Sequence, residues 1–264
     1  MYDIIILIMA TWSSNRKFAY GSLVVLAVIV IVGLPIFILF YKAPSCNDGK
    51  QNQGEQGIDC GGPCVKLCPS AFLPPEVIWT KAEPVAPGLY NVAAYIINNN
   101  LNAAAYDVPY EMQIFDDQGV LITYKDGSMT IPPHRNTLAF EGSVSTEKRI
   151  PAKAIINIGS PQWISENDQL GDLVIADKKY SEDRDSSSLQ VTLQNNAVTP
   201  YDNLSVYVVL YDANGNAIDF SKTVVDSIPA NGGTFIAPFT WPLSHNGQVV
   251  SIEVLPVLES QTAE

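Results

Sequence analysis

Four cysteines, Cys46, Cys60, Cys64 and Cys68, fall within 23 residues, and the chain has no others. Thiols clustered in this way have two uses. They pair as two disulfides, which a short Gly-rich segment without a core of its own needs for stability, or they bind a tetrahedral zinc as thiolates. Three pairings are open, and spacing does not choose among them. Between the first two cysteines, Asp48, Asn52, Glu55 and Asp59 bring side-chain oxygens into a loop that also contains Gly49, Gly54 and Gly57. Carboxylate, amide and backbone oxygens are the donors that calcium takes, so these four residues form a candidate calcium site. Their spacing is not that of an EF-hand loop, and turn chemistry on a solvated loop is the plain alternative. No other cofactor is implied.

Elsewhere the sequence offers little chemistry. His134 and His245 are the two histidines, the side chains best suited to general base work near neutral pH. His134 follows Pro132-Pro133 and His245 lies in Leu-Ser-His-Asn-Gly, so both read as solvated loop residues. No HExxH, G-x-S-x-G, Walker or dinucleotide pattern occurs. Asp116-Asp117 suits a hairpin turn, and Glu182-Asp183 with Asp185 lies in a charged, Ser-rich stretch, Ser181–Ser188, read as a loop rather than a carboxylate pair for glycoside chemistry. Asn203-Leu-Ser is a glycosylation triplet where the host glycosylates. Trp79, Trp163 and Trp241 read as core rings rather than a carbohydrate-binding strip. The chain is expected to be non-enzymatic.

The elements that hold these residues begin with an apolar stretch. Phe18 to Tyr41 runs 24 residues without a formal charge, against the roughly 20 that cross a hydrocarbon core. It reads as one transmembrane helix. Arg16 and Lys17 precede it and only Lys42 follows, so the positive-inside bias predicts a cytoplasmic N-terminus, residues 1–17, and an extracytoplasmic C-terminal part. A cleaved signal peptide would have a shorter apolar region, about 7–15 residues, ending in a small-residue site. Ile4–Trp12 is apolar but too short to span, and whether Met1 or Met9 starts the chain stays open. From Ala43 onward there are 26 acidic against 12 basic residues, a balance of −14. Such a surface repels phosphate backbones, which excludes nucleic acid as a partner.

The cysteine segment, residues 42–70, resembles a motif of predicted prokaryotic surface proteins, often beside a membrane anchor: its Asp59-Cys60-Gly61-Gly62-Pro63-Cys64 centre carries the likeness. The resemblance implies a cell-surface setting and no chemistry.

Beyond it the texture becomes short apolar alternations punctuated by Asn, Asp, Gly and Pro, the pattern of an all-β sandwich. Six strands are expected in residues 71–160, from Glu76–Thr80 to Ala154–Ile158, and six in residues 161–264, from Leu173–Ala176 to Val249–Val254. The two sets match. Asn98-Asn99 answers to Asn195-Asn196, Tyr106-Asp107 to Tyr201-Asp202, Phe115-Asp116 to Tyr211-Asp212, Gly119 to Gly215 and Ile131-Pro132 to Ile228-Pro229, all at offsets of 95 to 97. An internal duplication explains this, with a linker at about 160–171.

The second unit resembles the FxLYD family of extracytoplasmic immunoglobulin-like domains in Leu189-Gln-Val-Thr-Leu-Gln-Asn-Asn, Tyr201-Asp-Asn-Leu-Ser-Val and Val208-Val-Leu-Tyr-Asp212, with Val208 in place of the leading Phe. In the first unit, Met112-Gln-Ile-Phe-Asp116 matches less closely. The resemblance implies immunoglobulin-like β-sandwiches in tandem and a binding or spacer role. The expected function is a membrane-anchored envelope protein that binds another envelope or surface protein or helps assemble the envelope. A calcium- or ligand-binding surface sensor or adhesin module is the alternative, and an envelope hydrolase a third class.

Overall fold

The computed structural model describes residues 16–34, 45–68 and 72–259. Helix α1, Arg16–Gly33, is long and apolar enough to cross a membrane, and none of its hydropathic window is buried against the rest of the chain. Its last turn, Ile29–Gly33, is π-helical, with the Leu34 amide bonded to Ile29 O. Residues 35–41 of the expected span, Ile4–Trp12 and Pro69-Ser70 lie outside the described residues.

The rest is β. Thirteen strands follow: β1 (Glu76–Ala86), β2 (Leu89–Ile97), β3 (Ala103–Phe115), β4 (Leu121–Ile131), β5 (Asn136–Ser145), β6 (Lys153–Ile158), β7 (Ile164–Ser165), β8 (Leu173–Glu182), β9 (Ser187–Asn195), β10 (Tyr201–Tyr211), β11 (Ala217–Ile228), β12 (Gly233–Trp241) and β13 (Ser251–Leu258). All twelve expected strands are present, mostly longer than expected, and two-residue β7 is additional. Ser181–Ser188 is not a long loop: β8 runs to Glu182, β9 starts at Ser187, and Asp183 N–H bonds Ser186 O in a tight hairpin.

The sheets are β1-β2-β5 and β4-β3-β6 in the first half, and β8-β9-β12 and β11-β10-β13 in the second. Subtracting seven from the second set reproduces the first. The agreement reaches single residues. The β1–β2 register breaks between Val77 and Trp79, and the β8–β9 register between Ile175 and Asp177. Asp116 Oδ1 accepts the amides of Gln118 and Val120, and Asp212 Oδ1 those of Asn214 and Asn216. In each hairpin a glycine follows with positive φ, 75° at Gly119 and 78° at Gly215, where a Cβ would be strained.

Each half encloses a core between its two sheets. The first gathers Val92, Ile96, Met112, Ile114, Ile131 and Trp163, and the second Leu189, Leu193, Leu204, Leu210, Ile228 and Trp241. A third core joins the halves: Ala93, Tyr95 and Leu138 of the first pack on Tyr207, Val209, Phe220 and Leu255 of the second. Two sheets, β1-β2-β5 and β11-β10-β13, are therefore apolar on both faces, which accounts for the unbroken runs in β2 and β10. Trp79 belongs to this third core, stacked on Phe220 at 5.8 Å between centroids.

The outermost faces differ. Where β2 presents Ala93, Tyr95 and Ile97 to the junction, β9 presents Gln190, Thr192 and Gln194 to solvent. Where β10 presents Tyr207 and Val209, β3 presents Glu111 and Gln113.

Candidate functional site

Two places concentrate polar and sulfur chemistry. The first is the cysteine segment. Cys46 pairs with Cys64 and Cys60 with Cys68, so all four thiols are consumed and the pairing is fixed. The turn between them needs Gly62, whose φ is +59° and whose Cβ would lie 2.3 Å from Gly54 O.

Three of the four candidate calcium ligands, Asp48, Glu55 and Asp59, accept backbone amides of the loop, while Asn52 donates to the Asp48 carboxylate and keeps a buried Oδ1 without a partner among the described residues. Asp59 accepts the amides of Asp48 (2.9 Å) and Gly49 (2.9 Å). Asp48 accepts the Lys50 amide and the Asn52 side-chain amide, both at 2.9 Å, and hydrogen bonding, above all from Asn52, holds its carboxyl below the usual carboxylate range. Glu55 Oε2 accepts the Asn52 amide at 3.0 Å. Glu55 is 6% exposed, and its Oε1 lies 3.3 Å from Cys64 Sγ. A disulfide sulfur carries no hydrogen, so this approach is a contact and not a hydrogen bond. Among the described residues, the one trio of His, Cys, Asp or Glu ligand atoms within 4.8 Å of one another is Cys46, Glu55 and Cys64, and two of its members form a disulfide.

The segment is docked rather than tethered. Leu67 N–H bonds Trp163 O at 2.7 Å, Ser165 N–H reaches Val65 O at 3.3 Å, and Lys66 pairs with Ile164. Its strand partner is the connection between the two halves, which β7 also ties to Ala103 and Ala104 of β3. Trp163 is buried in the first core and Leu170 in the second. Arg135 clamps the same connection through both Asp168 oxygens at 2.7 Å and Leu170 O at 3.0 Å. Tyr106 and Tyr201, matched by sequence, both reach it too, donating to Glu166 and to Gln169 O.

The second place surrounds His245. Its side chain is 8% exposed, which corrects the expectation of a solvated loop residue: a loop supplies it, but its ring is buried. Nε2 lies 3.0 Å from Asp219 Oδ2, and Nδ1 lies 2.9 Å from Ser187 Oγ and 3.0 Å from Tyr180 OH. Trp241 meets the ring edge-on at 5.9 Å. Ser, His and Asp are the residue types of an acyl-transfer triad, but here Ser187 is 3% exposed and its hydroxyl donates to Leu243 O. The arrangement holds a buried aspartate in place. Burial raises the Asp219 carboxyl, partly offset by its bond from His245. Across the junction, Lys81 donates to Ala217 O at 2.6 Å, and Glu83 is pushed up to about 7 by burial and by the Asp219 charge. His134, by contrast, is exposed in its turn, as expected, with φ +52°.

A cleft of about 410 Å³ beside the connection is lined by Tyr106, Glu166, Gln169 and Glu259. Both carboxylates are already partnered, Glu166 by Tyr106 and Glu259 by Thr130. The sequence signal for the junction was present in the two-sided apolar runs; nothing local marked His245 or Glu83.

No family model and no curated protein matches the chain. Among solved structures, that of red sea bream transglutaminase aligns with 72% of this chain at 11% identity and a TM-score of 0.23. The alignment spans 32% of that protein's chain, and a likeness of this depth bears on no function.

Proposed function

We propose that this protein is a non-catalytic, membrane-anchored envelope protein in which α1 is a single transmembrane anchor with its N-terminus in the cytoplasm. Beyond the membrane it presents a disulfide knot and two duplicated, immunoglobulin-like β-sandwiches of FxLYD type, for binding another envelope or surface protein or for envelope assembly. The observation that carries this reading is the placement of two disulfides, beginning twelve positions after Leu34, directly beyond an apolar helix. Disulfides persist in oxidising, extracytoplasmic compartments. Matched strand orders and matched Asp116 and Asp212 turns support duplication. The acidic exterior favours a protein partner over nucleic acid.

The test is accessibility. Intact cells treated with a membrane-impermeant reductant, then a membrane-impermeant maleimide, should label all four cysteines. Labelling only after the membrane is opened would place the knot in the cytoplasm and overturn the reading.

A further inference from the structure

We infer that Cys46–Cys64 is a thiol–disulfide exchange site, with Cys46 as the sulfur open to external thiols and disulfides and Glu55 as the proton carrier for Cys64. Three features of the knot converge on this. The two cysteines differ in exposure, since Cys64 is 5% exposed while Cys46 is only half-buried. Glu55 places one carboxylate oxygen 3.3 Å from Cys64 Sγ in a pocket that leaves the residue 6% exposed. That oxygen faces a sulfur with no hydrogen, so the disulfide state gives it nothing to accept, whereas a Cys64 thiol would. Among the described residues the second disulfide has no such group: Cys60 and Cys68 are each 7% exposed, and the residue crowding both sulfurs is Gly57.

The chemistry balances with an external disulfide, R–S–S–R, as oxidant. The Cys46 thiolate attacks one sulfur of R–S–S–R, forming a mixed disulfide and expelling one RS⁻. Cys64 then gives its thiol proton to Glu55 Oε1, and the resulting thiolate attacks the Cys46 sulfur. The Cys46–Cys64 bond forms and the second RS⁻ leaves, taking up a proton from Glu55 through solvent. Two protein thiols are oxidised and one external disulfide is reduced to two thiols. Opening is the reverse, with Glu55 returning the proton to the departing Cys64 sulfur. The thiolate is the reactive form, and a buried thiol reaches it only where a base is at hand. Val65 follows Cys64 and accepts the Ser165 amide, so opening this bond acts directly on the connection between the two halves.

The experiment uses the full chain in detergent micelles with limiting reduced glutathione, quenched by an alkylating agent and mapped by peptide mass. The expected product carries glutathione on Cys46 and the alkyl group on Cys64, with Cys60–Cys68 intact. Glutathione arriving first on Cys60, Cys64 or Cys68 would overturn the assignment. Glu55→Gln keeps an acceptor for the Asn52 amide while removing the base. After reduction it should reclose Cys46–Cys64 with oxidised glutathione at least about tenfold more slowly than wild type. Its rate should also follow pH more steeply, since only hydroxide or buffer is left to take the Cys64 proton. Reclosure at the wild-type rate with an unchanged pH profile would sink the role given to Glu55.

Discussion

Asn98 and Asn195, 97 positions apart, make closely similar sets of hydrogen bonds at the same place in each half. Asn98 Nδ2 donates to Ala103 O and Pro132 O, and its Oδ1 accepts the Asn100 amide. Asn195 Nδ2 donates to Thr199 O and Ile228 O, and its Oδ1 accepts the Ala197 amide. In each half one side chain ties the end of the second strand to the chain at or just before the start of the third strand and at or just after the end of the fourth. Replacing either by Ala strands buried carbonyls, and each substitution should cost about 3 kcal/mol in urea unfolding. A cost below about 1 kcal/mol in either half would show that water replaces these bonds without penalty.

The third core predicts that the halves are not thermodynamically separate. Phe220 is fully buried there, against Trp79 and Phe140. Phe220→Ala should cost about 3–5 kcal/mol. A chain divided at Gly171 would expose Ala93, Tyr95 and Leu138 on one piece and Tyr207 and Val209 on the other. Each piece should melt below the intact chain and self-associate in sedimentation. Two monodisperse pieces with the parent's melting temperature would show that the junction contributes no stability.

The junction should also respond to pH through Glu83. Its folded pKa, about 7, lies above the ordinary value of 4.5, so folding favours the protonated form. That contribution is complete below about pH 4.5 and is lost as pH rises through 7. Asp219, also raised, acts in the same sense. Melting temperatures between pH 5 and pH 8, about the range in which the carboxyl ionises, should therefore fall more for wild type than for Glu83→Gln. Parallel curves for the two would remove Glu83 as the source.

His245→Ala should be costly for a different reason, because it leaves the Asp219 carboxylate buried beside an unfilled site. About 3 kcal/mol is expected. Adding Asp219→Asn should recover part of that loss, with a coupling above about 1 kcal/mol in the double-mutant cycle. Strictly additive losses would mean that the two side chains act independently.

Much of the framework was legible because turns are local. Asp116 through Gly119 and Asp212 through Gly215 declare their hairpins by residue type, and alternation such as Leu189, Val191 and Leu193 declares which face is buried. The disulfide partners were not, since chain spacing says nothing about which sulfurs the folded loop brings together. β7 was missed because two residues carry no periodicity; it exists through its neighbours Ala103 and Lys66. His245 was misread because its immediate neighbours are turn residues, while its partners, Tyr180, Ser187 and Asp219, are 26 to 65 positions away.

A junction that joins the inner sheet of one unit to the opposite sheet of the next is head-to-tail, and such contacts do not close on themselves. If both free ends kept the apolar faces found at the junction, each molecule could stack on another and the product would be a fibre. Gln190, Thr192 and Gln194 at one end, with Glu111 and Gln113 at the other, interrupt these outer faces with polar side chains between the exposed Val174, Ile236 and Tyr124. A face interrupted in this way offers a further copy less apolar area than the junction does, which favours a stack of two tiers over a filament.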